Sequence, residues 1–309
     1  MFKKILTASD SVDVCDAPSA AAAHLAKQEG ARFYLMHVLE SSDLIRRQWV
    51  KDFRTGEDVA VTAEYIDVVK GLIKKKCAEA LIGCKDYVIE VRPGFPWLEI
   101  LRMARATRAD LMVLGPHRGK AEEKGVVRMR TVEGLGSTVE AVIMRAHCPV
   151  MIVSRDVPKE GLAFKKILFG TDFSETCQYA FELSLKAAQK YHSRLHILHV
   201  LRIPRGERVA YTPAQIEREI AGVKEKVQKV YAKQIKGIDY ACDVLEGEPS
   251  AEILKYATSN QIDLIVIGSH VREQAERWYV GSVVEKLGSE SYCPLITVTR
   301  PEALLKIEE

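Results

Sequence analysis

Short apolar runs alternate with longer stretches of mixed character along the whole chain. In the first half the runs cover residues 4–8, 32–39, 87–91, 111–114 and 150–153. In the second half they cover 166–170, 194–201, 240–245, 264–267 and 295–298. Runs of this length predict strands, and the intervening stretches predict helices. Strict alternation of the two predicts crossover connections and a parallel sheet. Several runs are apolar at consecutive positions, as expected where helices cover both sheet faces. Thr212-Pro213-Ala214-Gln215 predicts a helix start, with an N-cap threonine, proline at the first helical position and glutamine three residues after the cap. Its counterpart in the first half is expected to be a helix over 58–81.

The pattern is written twice. Lys3-Lys4-Ile5-Leu6 recurs as Lys165-Lys166-Ile167-Leu168, and Asp10, Arg32 and His37-Val38-Leu39 fall on Asp172, Arg194 and His199-Val200-Leu201, an offset of 162. At an offset of 153, Gly94, Pro96 and Glu99-Ile100-Leu101 meet Gly247, Pro249 and Glu252-Ile253-Leu254. Asp110-Leu111, Gly115 and His117 meet Asp263-Leu264, Gly268 and His270 at the same offset. At an offset of 145, Gly136-Ser137, Glu140 and Cys148-Pro149 meet Gly281-Ser282, Glu285 and Cys293-Pro294. The falls from 162 to 153 and from 153 to 145 place insertions of nine and eight residues in the first copy. Two long units are too few for a solenoid, so a duplicated domain is expected. The copies span 1–156 and 164–301, with Pro158 and Gly161 in a linker at 157–163.

Composition narrows the partners. The chain has 309 residues, 47% apolar and 28% charged, with a net charge of +3. That charge is small and interspersed, which argues against a nucleic-acid partner. No apolar run reaches membrane-spanning length, and the start lacks the apolar region of a signal peptide, so a cytoplasmic protein without a membrane partner is expected. Seven cysteines with no C-x-x-C pair predict free thiols in a reducing compartment. Cys148 and Cys293 are read as small buried residues.

Ligands of an open parallel sheet bind beyond the carboxyl ends of its strands, where strand order reverses. Asp10 and Asp172 end the first strand of each copy, Gly115 and Gly268 the fourth, and Gly136-Ser137 and Gly281-Ser282 each open a helix. A Gly-Ser helix start suits an anion, through close backbone approach, free N–H groups and the helix dipole. Ser137 and Ser282 as plain N-caps are the competing reading. His192, His196 and His199 resemble a metal cluster, but alternation puts His196 and His199 on opposite faces of a strand, so no metal site is expected.

Together the K-I-L…D opening, the H-V-L strand end, the D-L-x-V-x-G strand, the Gly-Ser helix start and the C-P-[VL] strand entry resemble a tandem universal stress protein over nearly the whole chain. The resemblance implies two flavodoxin/Rossmann-like domains of the HUP type, each a five-stranded parallel sheet of order 3-2-1-4-5 with helices on both faces. It also implies pairing of the last strands, which a tandem chain can make internally through 150–153 and 295–298, giving an internal pseudo-dimer that could pair again as a homodimer. Some members bind ATP through G-x2-G-x9-G-[ST]. Here Gly268, Val271 and Gly281-Ser282 keep that spacing with valine for the middle glycine, a poor residue for close phosphate approach. The first copy offers Gly115 and Arg118, with Gly119 one position on, and its Gly136-Ser137 comes eight residues late.

By the resemblance, Asp10 and Asp172 face the ribose or adenine, the backbones of Val38 and Val200 meet the adenine edge, and Gly268, Gly281 and Ser282 cradle phosphates. His270, Arg272 and Arg277 lie nearby, as do His117, Arg118, Lys120, Arg128 and Arg130 in the first copy. Trp278-Tyr279 precedes the second Gly-Ser. The expected function is a non-catalytic stress-response regulator that binds ATP or another adenine nucleotide, with magnesium only as the nucleotide's counter-ion, and better in the second copy. A ligand-free scaffold for an unidentified protein partner is the alternative. A slow nucleotidase, resting on Asp172 alone, is the third reading.

Overall fold

The computed structural model describes residues 1–10, 12, 14–40, 49–52, 55–116, 134–154, 162–202, 212–269, 271–274 and 277–299. The 157–161 part of the predicted linker, His117, His270 and the basic stretch from Arg118 to Arg130 lie outside them.

The first half runs β1 (Lys4–Ser9), α1 (Ala17–Glu29), β2 (Arg32–Glu40), β3 (Trp49–Lys51), β4 (Asp58–Ala60), α2 (Ala63–Lys76), α3 (Ala78–Leu81), β5 (Tyr87–Gly94), α4 (Pro96–Thr107), β6 (Leu111–Leu114), α5 (Ser137–Arg145) and β7 (Val150–Ile152). The second runs β8 (Lys166–Thr171), α6 (Glu175–Tyr191), β9 (Arg194–Leu201), α7 (Pro213–Val230), β10 (Tyr240–Glu246), α8 (Pro249–Asn260), β11 (Leu264–Gly268), β12 (Val271–Gln274), β13 (Arg277–Val280), α9 (Ser282–Glu290) and β14 (Leu295–Val298).

Ten strands form one sheet in the order β10-β9-β8-β11-β14-β7-β6-β1-β2-β5. Each half therefore has the expected 3-2-1-4-5 order, parallel throughout. The halves join where β14 runs antiparallel to β7, with Leu295, Ile296 and Thr297 opposite Ile152, Met151 and Val150. Alternation along the strands sends Ile5, Ile167 and Phe169 into one core, and Leu6 and Leu168 into the other. Both cores run across the two halves, one on each face of the sheet. Across the join, Ser154 Oγ donates to the Ser291 carbonyl at 3.0 Å, and Thr299 Oγ1 donates to the Ile143 carbonyl at 3.0 Å.

The repeat is visible in backbone detail. Asp110 accepts from Lys3 N and Lys4 N at 2.7 and 3.0 Å. Asp263 does the same for Lys165 N and Lys166 N at 2.9 and 2.8 Å. This aspartate ties the start of the first strand to the fourth. Gly30 and His192 end α1 and α6 in the left-handed region, with φ of 63° and 54°. The capping box at Thr212 forms, with Gln215 N donating to Thr212 Oγ1 and Thr212 N to Gln215 Oε1. Cys148 and Cys293 are buried.

The structure departs from the sequence pattern in three places. The stretch 58–81 is not one helix: its first residues form β4, and the helix breaks at Cys77 into α2 and α3. The β3–β4 hairpin lies in the stretch that carries the nine-residue insertion, and it seats Val50 in the core, 3% exposed. The constant offset of 162 also hides a shift, because α1 has 13 residues and α6 has 17. The first half unwinds one helical turn there and uses those residues in its β1–α1 connection.

Candidate functional site

The site in the second half is built at the carboxyl ends of β8, β9 and β11. Asp172 follows β8 and is exposed. Its Oδ1 accepts from Ser174 N at 3.0 Å and from Cys177 Sγ at 3.1 Å. Burial pushes the Cys177 thiol up, so it stays a proton donor to that carboxylate. Phe173 takes φ of 63°, in the left-handed region that costs a side-chain-bearing residue about 1 kcal/mol. That turn lays its ring between His199 and Tyr231, with centroid distances of 4.9 and 6.0 Å. Lys226 of α7 places its ammonium 3.9 Å from the Phe173 ring centroid.

The end of the first strand is also fixed from the second. His199 Nδ1 lies 2.8 Å from the Thr171 carbonyl, and His37 Nδ1 lies 2.9 Å from the Ser9 carbonyl. A carbonyl only accepts, so Nδ1 carries the proton. Burial lowers the pKa of both rings, against the opposing pull of these hydrogen bonds and of Asp172 or Asp10, which keeps them neutral with Nε2 as an acceptor. Val200 and Val38 lie one residue beyond the last register positions, Thr171–His199 and Ser9–His37. Thr171 Oγ1 and the Tyr231 hydroxyl are 2.8 Å apart in the buried floor of the second site, and burial pushes that phenol up to about 12.

The phosphate-side residues are brought together by a hairpin. Gly268 ends β11 and Gly281 caps α9. Between them β12 pairs antiparallel with β13, and the Val271–Val280 rung is three residues from Gly268 and one from Gly281. No side chain caps α9, so its first-turn N–H groups face outward at Gly281-Ser282, with Ser282 exposed. The spacing that matches a flexible glycine loop is thus a strand rung at Val271. Gly268 has a packing duty of its own: a side-chain carbon there would stand 2.7 Å from the Cys177 nitrogen and the Thr176 carbonyl carbon.

The first half holds Asp10, Val38, Gly115, Gly136 and Ser137 in corresponding places. Asp10 follows β1 and is exposed. A carbon on Gly115 would stand 2.6 Å from Pro18 Cγ in the first turn of α1, as Gly268 meets α6. Gly136 caps α5 with φ of 88°, again without a side-chain cap. The β3–β4 hairpin, absent among the described residues of the second half, packs beside β2 with Val50 and Asp52 buried. The two sites are therefore unequal.

The three histidines do not meet. His192 caps α6, His196 Nδ1 bonds the Tyr256 hydroxyl at 2.9 Å on one sheet face, and His199 bonds Thr171 on the other. Phe173 and Lys226 were not singled out by sequence, and His199 stood out only in the strand-end repeat and in the rejected histidine cluster. No local signal marks Phe173 or Lys226, since aromatic residues are rare in the left-handed region and Lys226 is one of several lysines along α7. Among the described residues, no helix is long and apolar enough to cross a membrane.

Comparison with known proteins agrees with this layout. The model of the universal stress protein family matches residues 1–154 and again residues 163–299. A universal stress protein of Methanocaldococcus jannaschii is 27% identical over 146 residues, 45% of this chain and 84% of that protein. A crystal structure of a universal stress protein from Archaeoglobus fulgidus covers 96% of this chain and 98% of its own, with TM-score 0.61 and 17% identity. A solved universal stress protein in complex with cAMP is 20% identical, covers 34% of this chain and 77% of its own, and has TM-score 0.28. This chain belongs to the universal stress protein family, whose domain it carries twice.

Proposed function

We propose that this protein is a stress-response regulator that binds an adenine nucleotide in its second half. The observation that carries the reading is the Val271–Val280 rung, which brings the end of β11 beside the uncapped start of α9. A phosphate at that start accepts from the N–H groups of the first turn and is favoured by the helix dipole. Asp172 then lies on the ribose side, one strand away, and the Val200 backbone on the adenine side. Gly281 supports close phosphate approach, while Gly268 serves α6 instead, so the cradle rests on α9 more than on a glycine loop. Lys226, beside Phe173, adds a cation at the opposite end of the site. No catalytic role is proposed for Asp172. Its carboxylate is engaged by Ser174 N and Cys177 Sγ.

The scaffold reading applies to the first half. There the inserted hairpin and the shortened α1 alter the region beside Asp10 and Val38. Titration calorimetry with ATP, ADP and AMP on the full chain separates the readings. One site per chain, weakened by Asp172→Ala and unchanged by Asp10→Ala, is the expected result. No heat at millimolar nucleotide would end the proposal.

A further inference from the structure

Residues 77–84 lie alongside α1. Cys84 Sγ donates to the Ala23 carbonyl at 3.5 Å, and a carbon on Gly83 would stand 3.3 Å from Lys27 Cδ. The same line brings Cys77, at the break between α2 and α3, toward the start of α1. There its thiol hydrogen-bonds the thiol of Cys15. Cys77 is 4% exposed, and Cys15, two residues before α1, is half-buried. Both sulfurs pack on the same core.

The pair belongs to the first half alone. Cys15 stands in the β1–α1 connection of residues 10–16, where the second half has only 172–174. Cys77 stands at the α2–α3 junction, where the second half has Tyr231 between α7 and a short 3-10 turn at Ala232–Gln234. The bond to Cys15, then burial, push the Cys77 thiol up, so Cys77 keeps its proton. Cys15 is the more exposed sulfur and the one an oxidant in solvent meets first.

We propose that Cys15 and Cys77 are a peroxide-responsive dithiol, oxidised by a hydroperoxide to an intramolecular disulfide that pins the start of α1 to the α2–α3 junction. In the first step the Cys15 thiolate attacks a peroxide oxygen. The S–O bond forms, the O–O bond breaks, and hydroxide leaves and takes a proton to become water. In the second, the Cys77 sulfur attacks the Cys15 sulfenic acid. The S–S bond forms, the S–O bond breaks, and the departing hydroxide takes the Cys77 proton. Two thiols lose two electrons, and hydrogen peroxide becomes two waters. Hydrogen-bonded sulfurs need close by only about 2 Å to reach bonding distance. The disulfide acts on the strand end through Asp16, which caps α1 and accepts from Ser9 Oγ at 2.8 Å. It thereby fixes the residue that precedes Asp10.

The test treats the folded full chain with a few equivalents of hydrogen peroxide, blocks remaining thiols with N-ethylmaleimide, and maps tryptic peptides by mass spectrometry. Peptide 5–27 is expected linked to peptide 77–85, two hydrogens lighter than the sum, and released by dithiothreitol. Peptide 77–85 also contains Cys84, so the link must survive Cys84→Ser and vanish in both Cys77→Ser and Cys15→Ser. In Cys77→Ser, dimedone is expected to label Cys15 as its sulfenic acid. In Cys15→Ser, which alters the less buried partner, Cys77 is expected to stay reduced. A link lost in Cys84→Ser, linkage only between chains, or a Cys15 that stays maleimide-reactive after peroxide would each overturn the proposal.

Discussion

Gly268 leaves room for the backbone of Thr176: a side-chain carbon at 268 would stand 2.7 Å from the Thr176 carbonyl carbon. The first half repeats the relationship between Gly115 and Pro18. In each half, the glycine at the end of the fourth strand lets the first turn of that half's first helix sit against it. Gly268→Ala is therefore expected to destabilise the protein by about 1–3 kcal/mol, the range of an overpacked site. Gly222→Ala is the control, in the middle of α7 with nothing within 4 Å of the added carbon. It is expected to stabilise by about 0.5–1 kcal/mol. Urea unfolding midpoints of the two variants should move in opposite directions.

Glu29, at the end of α1, joins the halves a second time. Its side chain is fully buried and accepts from Lys190 Nζ at 2.6 Å, from the Tyr191 hydroxyl at 2.5 Å and from Phe2 N at 3.0 Å. Burial pushes its carboxyl up, but bonds from Lys190, the Met1 ammonium and Tyr191 outweigh it and hold the pKa below the ordinary range. A depressed carboxyl contributes stability above its unfolded value that is lost as pH falls through its folded value. Glu29→Gln is expected to cost about 3 kcal/mol at pH 7, the scale of a broken buried pair. The gap between variant and parent melting temperatures should shrink below pH 4.

Sequence and structure meet most closely where a local rule decides the outcome. The alternation of core faces at Ile5-Leu6 and Ile167-Leu168, the capping box at Thr212 and the 3-2-1-4-5 order all follow from short-range pattern and the family resemblance. The same offset of 162 at Asp10–Asp172 and Arg32–Arg194 conceals the lost turn of α1, because a longer connection compensates for a shorter helix. The helix predicted over 58–81 overlooks β4, whose Asp58 pairs across the inserted hairpin with Lys51, their side chains 3.0 Å apart. Of the site, Asp172, Gly281 and Ser282 stand out by position. Phe173 and Lys226 do not, since their contact depends on one left-handed residue and on how α7 packs.

Glu140 and Glu285 occupy the same place in the two copies and face one glycine. A carbon on Gly134 would stand 3.4 Å from Glu285 Oε1 and 3.9 Å from Glu140 Oε1. Burial first, then the Glu285 charge, raise the Glu140 pKa. A carboxyl raised in the folded state favours folding when protonated, and that contribution is lost as pH rises through the folded value. Glu140→Gln removes the penalty at neutral pH. Its melting temperature at pH 7 is expected to exceed the parent's by about 1–2 °C, for roughly 0.5 kcal/mol of like-charge repulsion between two half-buried carboxylates. The advantage should vanish on acidification to pH 4, where the parent's Glu140 is protonated. An equal gain at both pH values would refute the charge account.

Ser282→Asp separates the anion-site reading of α9 from a purely structural one. Ser282 is the first residue of α9, it is exposed, and no side chain caps the helix. An added carboxylate there meets the positive end of the helix dipole and is expected to stabilise the fold by about 0.3–1 kcal/mol. The same carboxylate occupies the place proposed for phosphate and repels it. Nucleotide affinity in calorimetry is therefore expected to fall at least tenfold, about 1.4 kcal/mol, while the melting temperature rises. Ser137→Asp makes the matching change at α5 in the first half and is expected to leave affinity untouched. A stability gain at both positions with undiminished nucleotide binding would place the phosphate away from α9.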